Sequence, residues 1–320
     1  MNIVDQLVCY SVFLSREAPP PPDLLRQLLA SVQTLRQYDE RMPVVVFAYD
    51  DAQTAIEPML APYDVRVVPR GSYEERVKQL CPQGWTFLSK YPVLHKSFNF
   101  DAVAAMQPRQ VLLLDCDTLF FDDVAQLFAR YGDAHCYARE EPSCSRSPHG
   151  YRPEYLDEAV LLRAASTLGV HALPPFNLGV LLLNHGVWSA LAELLPAMMD
   201  YVWRLLLGIA IEPRERPAPD DAGLAAWVRQ QQDALPAWAA ASPPLPFPST
   251  NEWILEQVAF WLALGHVPDL RYADFSPSHV VQNGELFAEA APPPESVLCH
   301  YFSGLTARVE EWLRACPLFG

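Results

Sequence analysis

The chain has 320 residues and a formal net charge of −15; 51% of its residues are hydrophobic and 19% are charged. This composition is typical of a globular protein with a sizeable core and not of a disordered chain. The acidic balance disfavours broad binding to nucleic acid or to anionic lipid, so we expect neither partner.

The first half of the chain alternates strand and helix patterns. Four apolar runs predict strands: Leu7–Phe13, Val44–Tyr49, Val65–Val68 and Val111–Asp115. Three helices are expected between them: one that Asp23 caps, one at Tyr73–Leu80 and one at Val93–Met106. This order predicts an α/β fold, a mostly parallel sheet flanked by helices on both faces.

The second half of the chain is more mixed. Residues 139–155 form a polar loop, and a strong strand at Phe176–Asn184 precedes a long helix at Val187–Gly208. The Pro- and Ala-rich segment 212–250 is interpreted as an insertion that forms a subregion beside the ligand site, with one helix at Ala222–Leu235. A helix at Asn251–Leu264 and a closing strand at Ser296–Phe302 complete one domain over residues 1–320.

The cysteines and the apolar runs indicate the compartment. Seven cysteines without paired short spacing match neither a disulfide framework nor a zinc site. The most apolar long stretch, residues 187–211, contains charged residues and a proline, which is typical of a buried or amphipathic helix and not of a membrane span. We therefore predict a cytoplasmic protein with no transmembrane segment.

Asp115 and Asp117 are the most informative feature of the sequence. They follow four aliphatic residues at the carboxyl end of a predicted buried strand, the edge where open α/β sheets bind ligands. Side chains at i and i+2 of a strand share a face, and two adjacent carboxylates are unfavourable without a cation or protons. Hard oxygen ligands suit Mg²⁺ or Mn²⁺. Acid pairs at strand ends also act as loop caps, so the pair alone leaves both interpretations open.

Further polar residues extend the pattern along the chain. Lys96 lies upstream of the acid pair, Asn177 lies in the next strong strand, Glu256-Gln257 lies in a helix, and His300 ends a strand near the C-terminus. This order resembles the glycosyltransferases of the GT-A fold, most closely the glycogenin-like and bacterial lipopolysaccharide galactosyltransferase-like retaining enzymes. The resemblance implies metal-dependent transfer of a hexosyl group from a nucleotide-diphosphate sugar to an acceptor hydroxyl of a glycan or other compound, with retention.

The resemblance also implies a metal site and a catalytic pair. Asp115 and Asp117 match the Asp-x-Asp that binds Mn²⁺ or Mg²⁺ in this family, and His300 matches the histidine that completes the metal site. Glu256 and Gln257 match the acid–Gln pair beside the reacting sugar, although the usual second Asp after the Gln is missing.

Five more residues are candidates for contact with the donor. Lys96 sits where the family has a basic residue, and Asn177 matches the asparagine of the Phe-Asn-x-Gly-Val strand near the donor sugar. The family has His-x-x-Gly followed by a lysine that binds the diphosphate. Here one extra residue separates His300 from Gly304, and the nearest cation after it is Arg308. Tyr10 and Asp50 end strands at the nucleotide edge, which suggests contacts with base and ribose.

Other interpretations stay open at this point. A haloacid-dehalogenase-like phosphohydrolase also has Asp-x-Asp after an apolar strand. That family has Thr or Val at the position of Leu119, and its motif lies near the start of the chain. A glycosyltransferase fold retained as a non-catalytic binding module is the second alternative. His300 and Asn177 could instead satisfy backbone groups, and Lys96, Glu256 and Gln257 could be ordinary helix residues.

Overall fold

The computed structural model describes residues 5–15, 22–89, 92–140, 161–162, 165–166, 168–170, 173–174, 176–209, 252–282 and 294–301. The insertion 212–250 with its expected helix Ala222–Leu235, most of the loop 139–155, and Arg308 lie outside the described residues.

Two sheets are formed by the described residues. The larger sheet contains β1 (Gln6–Leu14), β2 (Val44–Asp50), β3 (Val65–Gly71), β4 (Gln110–Leu114), β6 (Cys136–Glu140), β7 (Phe176–Asn184) and β8 (Tyr272–Asp274). The smaller sheet contains β5 (Thr118–Phe120), β9 (Val280–Gln282) and β10 (Leu298–His300). Their spatial orders are β3-β2-β1-β4-β7-β6-β8 and β5-β10-β9.

The larger sheet is mostly parallel. Strands β3, β2, β1 and β4 run parallel to one another, β7 is antiparallel to both β4 and β6, and β8 is parallel to β6. The four strands predicted in the first half of the chain are therefore confirmed, as is their parallel arrangement.

Helices cover both faces of this sheet. They are α1 (Pro22–Tyr38), α2 (Ala52–Leu60), α3 (Tyr73–Leu80), α4 (Trp85–Leu88), α5 (Phe100–Met106), α6 (Ala125–Arg130), α7 (Val187–Ile209) and α8 (Glu252–Gly265). Side chains of α3, α5, α7 and α8 pack into one core, and those of α1, α2 and α6 into the other. Alternate residues of β1 serve the two cores, with Cys9 in the first and Tyr10 in the second. The predicted α/β fold class is confirmed.

One local prediction needs correction, and three short strands were missed. The helix expected at Val93–Met106 is a 3₁₀ segment, Pro92–Phe98, followed by α5. The break falls at Asn99, whose side-chain Nδ2 donates to Ser11 Oγ (2.9 Å) and whose side-chain Oδ1 accepts from the Tyr49 hydroxyl (2.8 Å). The three-residue strands β5, β8 and β9 were not predicted, because so short a run carries no periodicity.

None of the described helices is both long enough and apolar enough to cross a membrane.

Candidate metal and donor-sugar site

The acid pair lies in the turn that joins the two sheets. Asp115 follows β4, and its backbone N–H donates to the carbonyl of Gly179 in β7 (2.8 Å). Asp117 precedes β5, and its carbonyl accepts from the N–H of Tyr301 (3.0 Å). Asp115 is thus anchored through its backbone to β7 and Asp117 to the residue that follows β10, so the orientation of the turn is set by both sheets.

His300 reaches the acid pair from the smaller sheet. Strand β10 pairs antiparallel with β5, and its register places His300 opposite Thr118, the residue after Asp117. His300 Nε2 lies 3.4 Å from Asp117 Oδ1 and 3.8 Å from Asp115 Oδ2. The structure therefore brings together the three residues that the sequence suggested as metal ligands.

The geometry of these three residues fits one divalent cation. One potential ligand atom from each of them lies within 4.8 Å of the other two. Two ligands held about 2.0–2.2 Å from one ion at angles between about 90° and 120° are about 3–4 Å apart, which matches the His300–carboxylate distances. The carboxylate side chains are 32% and 19% exposed, which leaves room for further oxygen ligands. Two carboxylates and one imidazole are a donor set that suits Mn²⁺ or Mg²⁺.

Lys96 joins the acid pair to helix α8. Its Nζ lies 2.5 Å from Asp115 Oδ1 and 3.3 Å from Glu256 Oε2. The two oxygens of Asp115 therefore have different partners, Oδ1 facing Lys96 and Oδ2 facing His300. This division lets Asp115 keep its ion pair with Lys96 while its other oxygen faces a cation.

Burial and neighbouring charges shift the pKa values of the group. Burial raises the pKa of Asp115, but Lys96 and His300 lower it by more, so it ends below its ordinary value. Burial lowers the pKa of His300, but the charges of Asp117 and Asp115 and the hydrogen bond that His300 donates to Asp117 raise it above its ordinary value. Burial raises the pKa of Glu256 to about 7, against the attraction of Lys96. Without a bound cation, Lys96 and His300 supply the positive charge that the acids need.

Both residues of the catalytic pair suggested by the sequence are buried, and Glu256 contacts Lys96 beside the acid pair. Glu256 is 2% exposed and Gln257 is 4% exposed, both in α8. The Oγ of Ser97 donates to Glu256 Oε1 at 3.5 Å, so the 3₁₀ segment contacts this acid through two successive residues, Lys96 and Ser97.

Two candidate donor contacts are engaged by backbone groups. Asn177 in β7 is 6% exposed, and its Oδ1 accepts from the N–H of Gly179 (2.8 Å). Asp50 ends β2 with a left-handed backbone (φ 52°), a conformation that Asp tolerates, and its Oδ2 accepts from the N–H of Tyr73 (3.1 Å). Both lie on strands of the larger sheet, and their contacts with a donor stay predictions.

Tyr10 is turned away from the acid pair. It is 1% exposed, and its hydroxyl lies 2.7 Å from Ser31 Oγ in α1, in the core on the other face of the sheet. Ser31 Oγ lies 2.7 Å from Thr118 Oγ1, which donates to the carbonyl of Asp115 (3.0 Å). Because Thr118 uses its proton on Asp115, the chain of donors runs from Tyr10 through Ser31 to Thr118. Tyr10 therefore supports the turn through Ser31 and Thr118, and its contact with a nucleotide base stays a prediction.

The sequence did not suggest Ser11, and it suggested Gly179 only as part of the Phe-Asn-x-Gly-Val pattern, without a role. Strand β1 pairs Tyr10 with Leu114, so Ser11 is level with Asp115, about one strand spacing of 4.8 Å away. The alternation of β1 also places Ser11 on the face opposite to Tyr10, where Asn99 binds its hydroxyl. This alternation was the available signal for Ser11. Gly179 is the glycine of the Phe-Asn-x-Gly-Val pattern, but its contacts with Asp115 and His300 join distant strands and appear only in the folded chain.

Comparison with known proteins gives matches of structure only. No protein-family model matches the sequence, and no curated protein matches it. Mouse xyloside xylosyltransferase 1 is similar in structure with 14% identity and a TM-score of 0.48, over 94% of this chain and 99% of that chain. An active-site mutant of LgtC is similar with 12% identity and a TM-score of 0.47, over 97% and 95%. The glycosyltransferase GlyE of Streptococcus pneumoniae TIGR4 is similar with 15% identity and a TM-score of 0.44, over 93% and 55%. Likenesses this distant carry no conclusion about activity.

Proposed function

We propose that this chain is a glycosyltransferase that moves a hexosyl group from a nucleotide-diphosphate sugar to an acceptor hydroxyl, with retention, and that it requires Mn²⁺ or Mg²⁺. The observation that carries the proposal is the convergence of Asp115, Asp117 and His300 at the carboxyl edge of a mostly parallel sheet. Lys96 and the buried acid Glu256 adjoin this group.

The charge of the reaction explains why a cation is needed. Breaking a sugar–phosphate bond leaves a nucleoside diphosphate with growing negative charge, and this chain carries a net charge of −15. A divalent ion held by Asp115, Asp117 and His300 supplies the Lewis acid that stabilises such a leaving group. Lys96 holds Asp115 and Glu256 in place and adds a fixed positive charge on the diphosphate side.

The remaining residues act on the sugar in this proposal. The anomeric carbon develops positive charge, which a nearby carboxylate or amide oxygen stabilises. Glu256 and Gln257 on α8 are proposed for this position, with Asn177 beside the donor sugar. Asp50 is proposed for the ribose and Arg308, outside the described residues, for the diphosphate. The five described cysteines are buried, and we also propose the reducing cytoplasmic location that the cysteine spacing suggested.

A donor panel tests the reaction directly. The protein is incubated with Mn²⁺ and each of a set of nucleotide sugars, and nucleoside diphosphate release is measured with water or simple glycosides as acceptors. We expect release from one class of donor, its loss with EDTA, and a product whose anomeric configuration by NMR is that of the donor. An inverted product would remove the proposed role of Gln257. Metal-dependent binding of nucleotide sugars with no turnover on any of them would favour the non-catalytic binding module.

A further inference from the structure

Gly179 lies against the imidazole ring of His300. Strand β7 pairs Val180 with Leu114, so Gly179 is the residue facing Asp115, and its carbonyl accepts the Asp115 N–H (2.8 Å). A Cβ built on Gly179 overlaps three atoms of the His300 ring, namely Cε1, Nε2 and Nδ1. The ring therefore occupies the space that any side chain at position 179 would need.

A glycine in the middle of a buried strand calls for a reason. Glycine weakens a strand because it has no side chain to pack and loses more conformational freedom on folding than other residues. The φ of Gly179 lies outside the left-handed region, so backbone conformation does not require glycine here. Close approach of another group does require it, and the group that approaches is His300.

The surroundings of His300 leave its backbone little freedom to move. His300 is 2% exposed, and its strand β10 is held between β5 and β9. The backbone is held again just past the strand, where the Tyr301 N–H donates to the Asp117 carbonyl (3.0 Å). A side chain at position 179 would therefore rotate the ring and not shift the strand. That rotation moves Nε2 away from Asp115 and Asp117.

We propose that Gly179 is a positioning residue for the metal site: its missing side chain admits the His300 ring, and its carbonyl fixes the backbone of Asp115. One residue of β7 thus sets the placement of two of the three proposed ligands. This inference rests on the proposed function, because it assumes that Asp115, Asp117 and His300 bind a divalent cation.

The test compares two glycine-to-alanine variants. Gly179→Ala places a methyl group in the ring of His300, whereas Gly132→Ala places one where no atom lies within 4 Å. Mn²⁺ affinity is measured by isothermal titration calorimetry and by the EPR signal of free Mn²⁺. We expect Gly179→Ala to weaken Mn²⁺ binding by about 10–100-fold, the range typical for residues that orient metal ligands, and Gly132→Ala to bind as the wild type does.

A double-mutant cycle with His300→Ala shows whether the effect passes through the ring. In the His300→Ala background, Gly179→Ala should lower neither the Mn²⁺ affinity nor the midpoint of thermal unfolding, because the overlapping ring is gone. In the wild-type background it should lower both. This comparison also covers a Gly179→Ala variant that fails to fold, since the double variant should fold as well as His300→Ala does.

The outcomes separate this inference from the proposed function. A wild-type protein that binds no Mn²⁺ would overturn both. Wild-type binding that Gly179→Ala leaves unchanged would overturn the positioning role alone. A loss of affinity or of folding that persists without the His300 ring would equally overturn it, because the methyl group would then act on something other than His300.

Discussion

Replacing Glu256 by Gln tests the charge of the buried acid beside Lys96. Only 2% of Glu256 is exposed, and burial raises its pKa from 4.5 to about 7, while Lys96 lowers it and Asp115 raises it. The pKa of Glu256 is higher in the folded state than in the unfolded state. The stability that the neutral carboxyl contributes is therefore fully present below pH 4.5 and is lost as the pH rises to about 7. At about 1.4 kcal/mol for each pH unit between the two pKa values, the loss is about 3 kcal/mol.

Glu256→Gln keeps the shape of the side chain but cannot ionise. The difference in free energy of unfolding between Glu256→Gln and the wild type, measured in EDTA, should therefore increase by about 3 kcal/mol in favour of the variant as the pH rises from about 4 to about 8. Urea unfolding followed by circular dichroism measures this difference, and Glu57→Gln, at an exposed position of α2, controls for the loss of one carboxylate. A difference between Glu256→Gln and wild type that does not change with pH would refute the reasoning, because Glu256 would then ionise alike in the folded and unfolded states.

Two other substitutions test the contacts around the acid pair. Lys96→Met leaves Asp115 and Glu256 without their shared cation, so the free energy of unfolding at about pH 8 should fall by about 3 kcal/mol. This is the lower end of the range for a broken buried ion pair, because Asp115 is partly exposed. Urea unfolding measures the change, and one below about 1 kcal/mol would contradict the account. Ser31→Ala removes the acceptor of Tyr10 and the donor to Thr118, at a cost of about 1–3 kcal/mol. When Tyr10→Phe is added to Ser31→Ala, the free energy of unfolding should fall little further. Full additivity of the two changes would argue against a connected chain of hydrogen bonds.

The sheet could be predicted because its strands are recognisable one at a time. Strands buried on both faces read as continuous aliphatic runs, as in β2 and in β4, so local sequence was enough to place them. The break at Asn99 was not predictable in this way. It depends on Ser11 and Tyr49, which are distant in sequence and meet Asn99 only in the folded chain.

The candidate site was predictable to a similar extent. Asp115 and Asp117 form a local motif, and their resemblance to a known pattern pointed to His300, which the fold does bring to them. The resemblance placed Lys96 near the diphosphate, but only the structure shows its pairing with Asp115 and Glu256. Tyr10 lies within the strand that was predicted over Leu7–Phe13, and its contact with a base stays a prediction. The alternation of β1 turns its hydroxyl towards Ser31 in α1, a contact that only the folded chain shows.

The most direct test of the central claim is a calorimetric titration of the protein and its Asp117→Asn variant, first with Mn²⁺ and then with a panel of nucleoside diphosphates. Asp133→Asn, exposed in the turn before β6, is the matched control. We predict that wild type and Asp133→Asn bind one Mn²⁺ and, only in its presence, a nucleoside diphosphate, whereas Asp117→Asn does neither. Mn²⁺-dependent binding of a nucleoside diphosphate by Asp117→Asn at wild-type affinity would contradict the account, because the cation would then lie elsewhere.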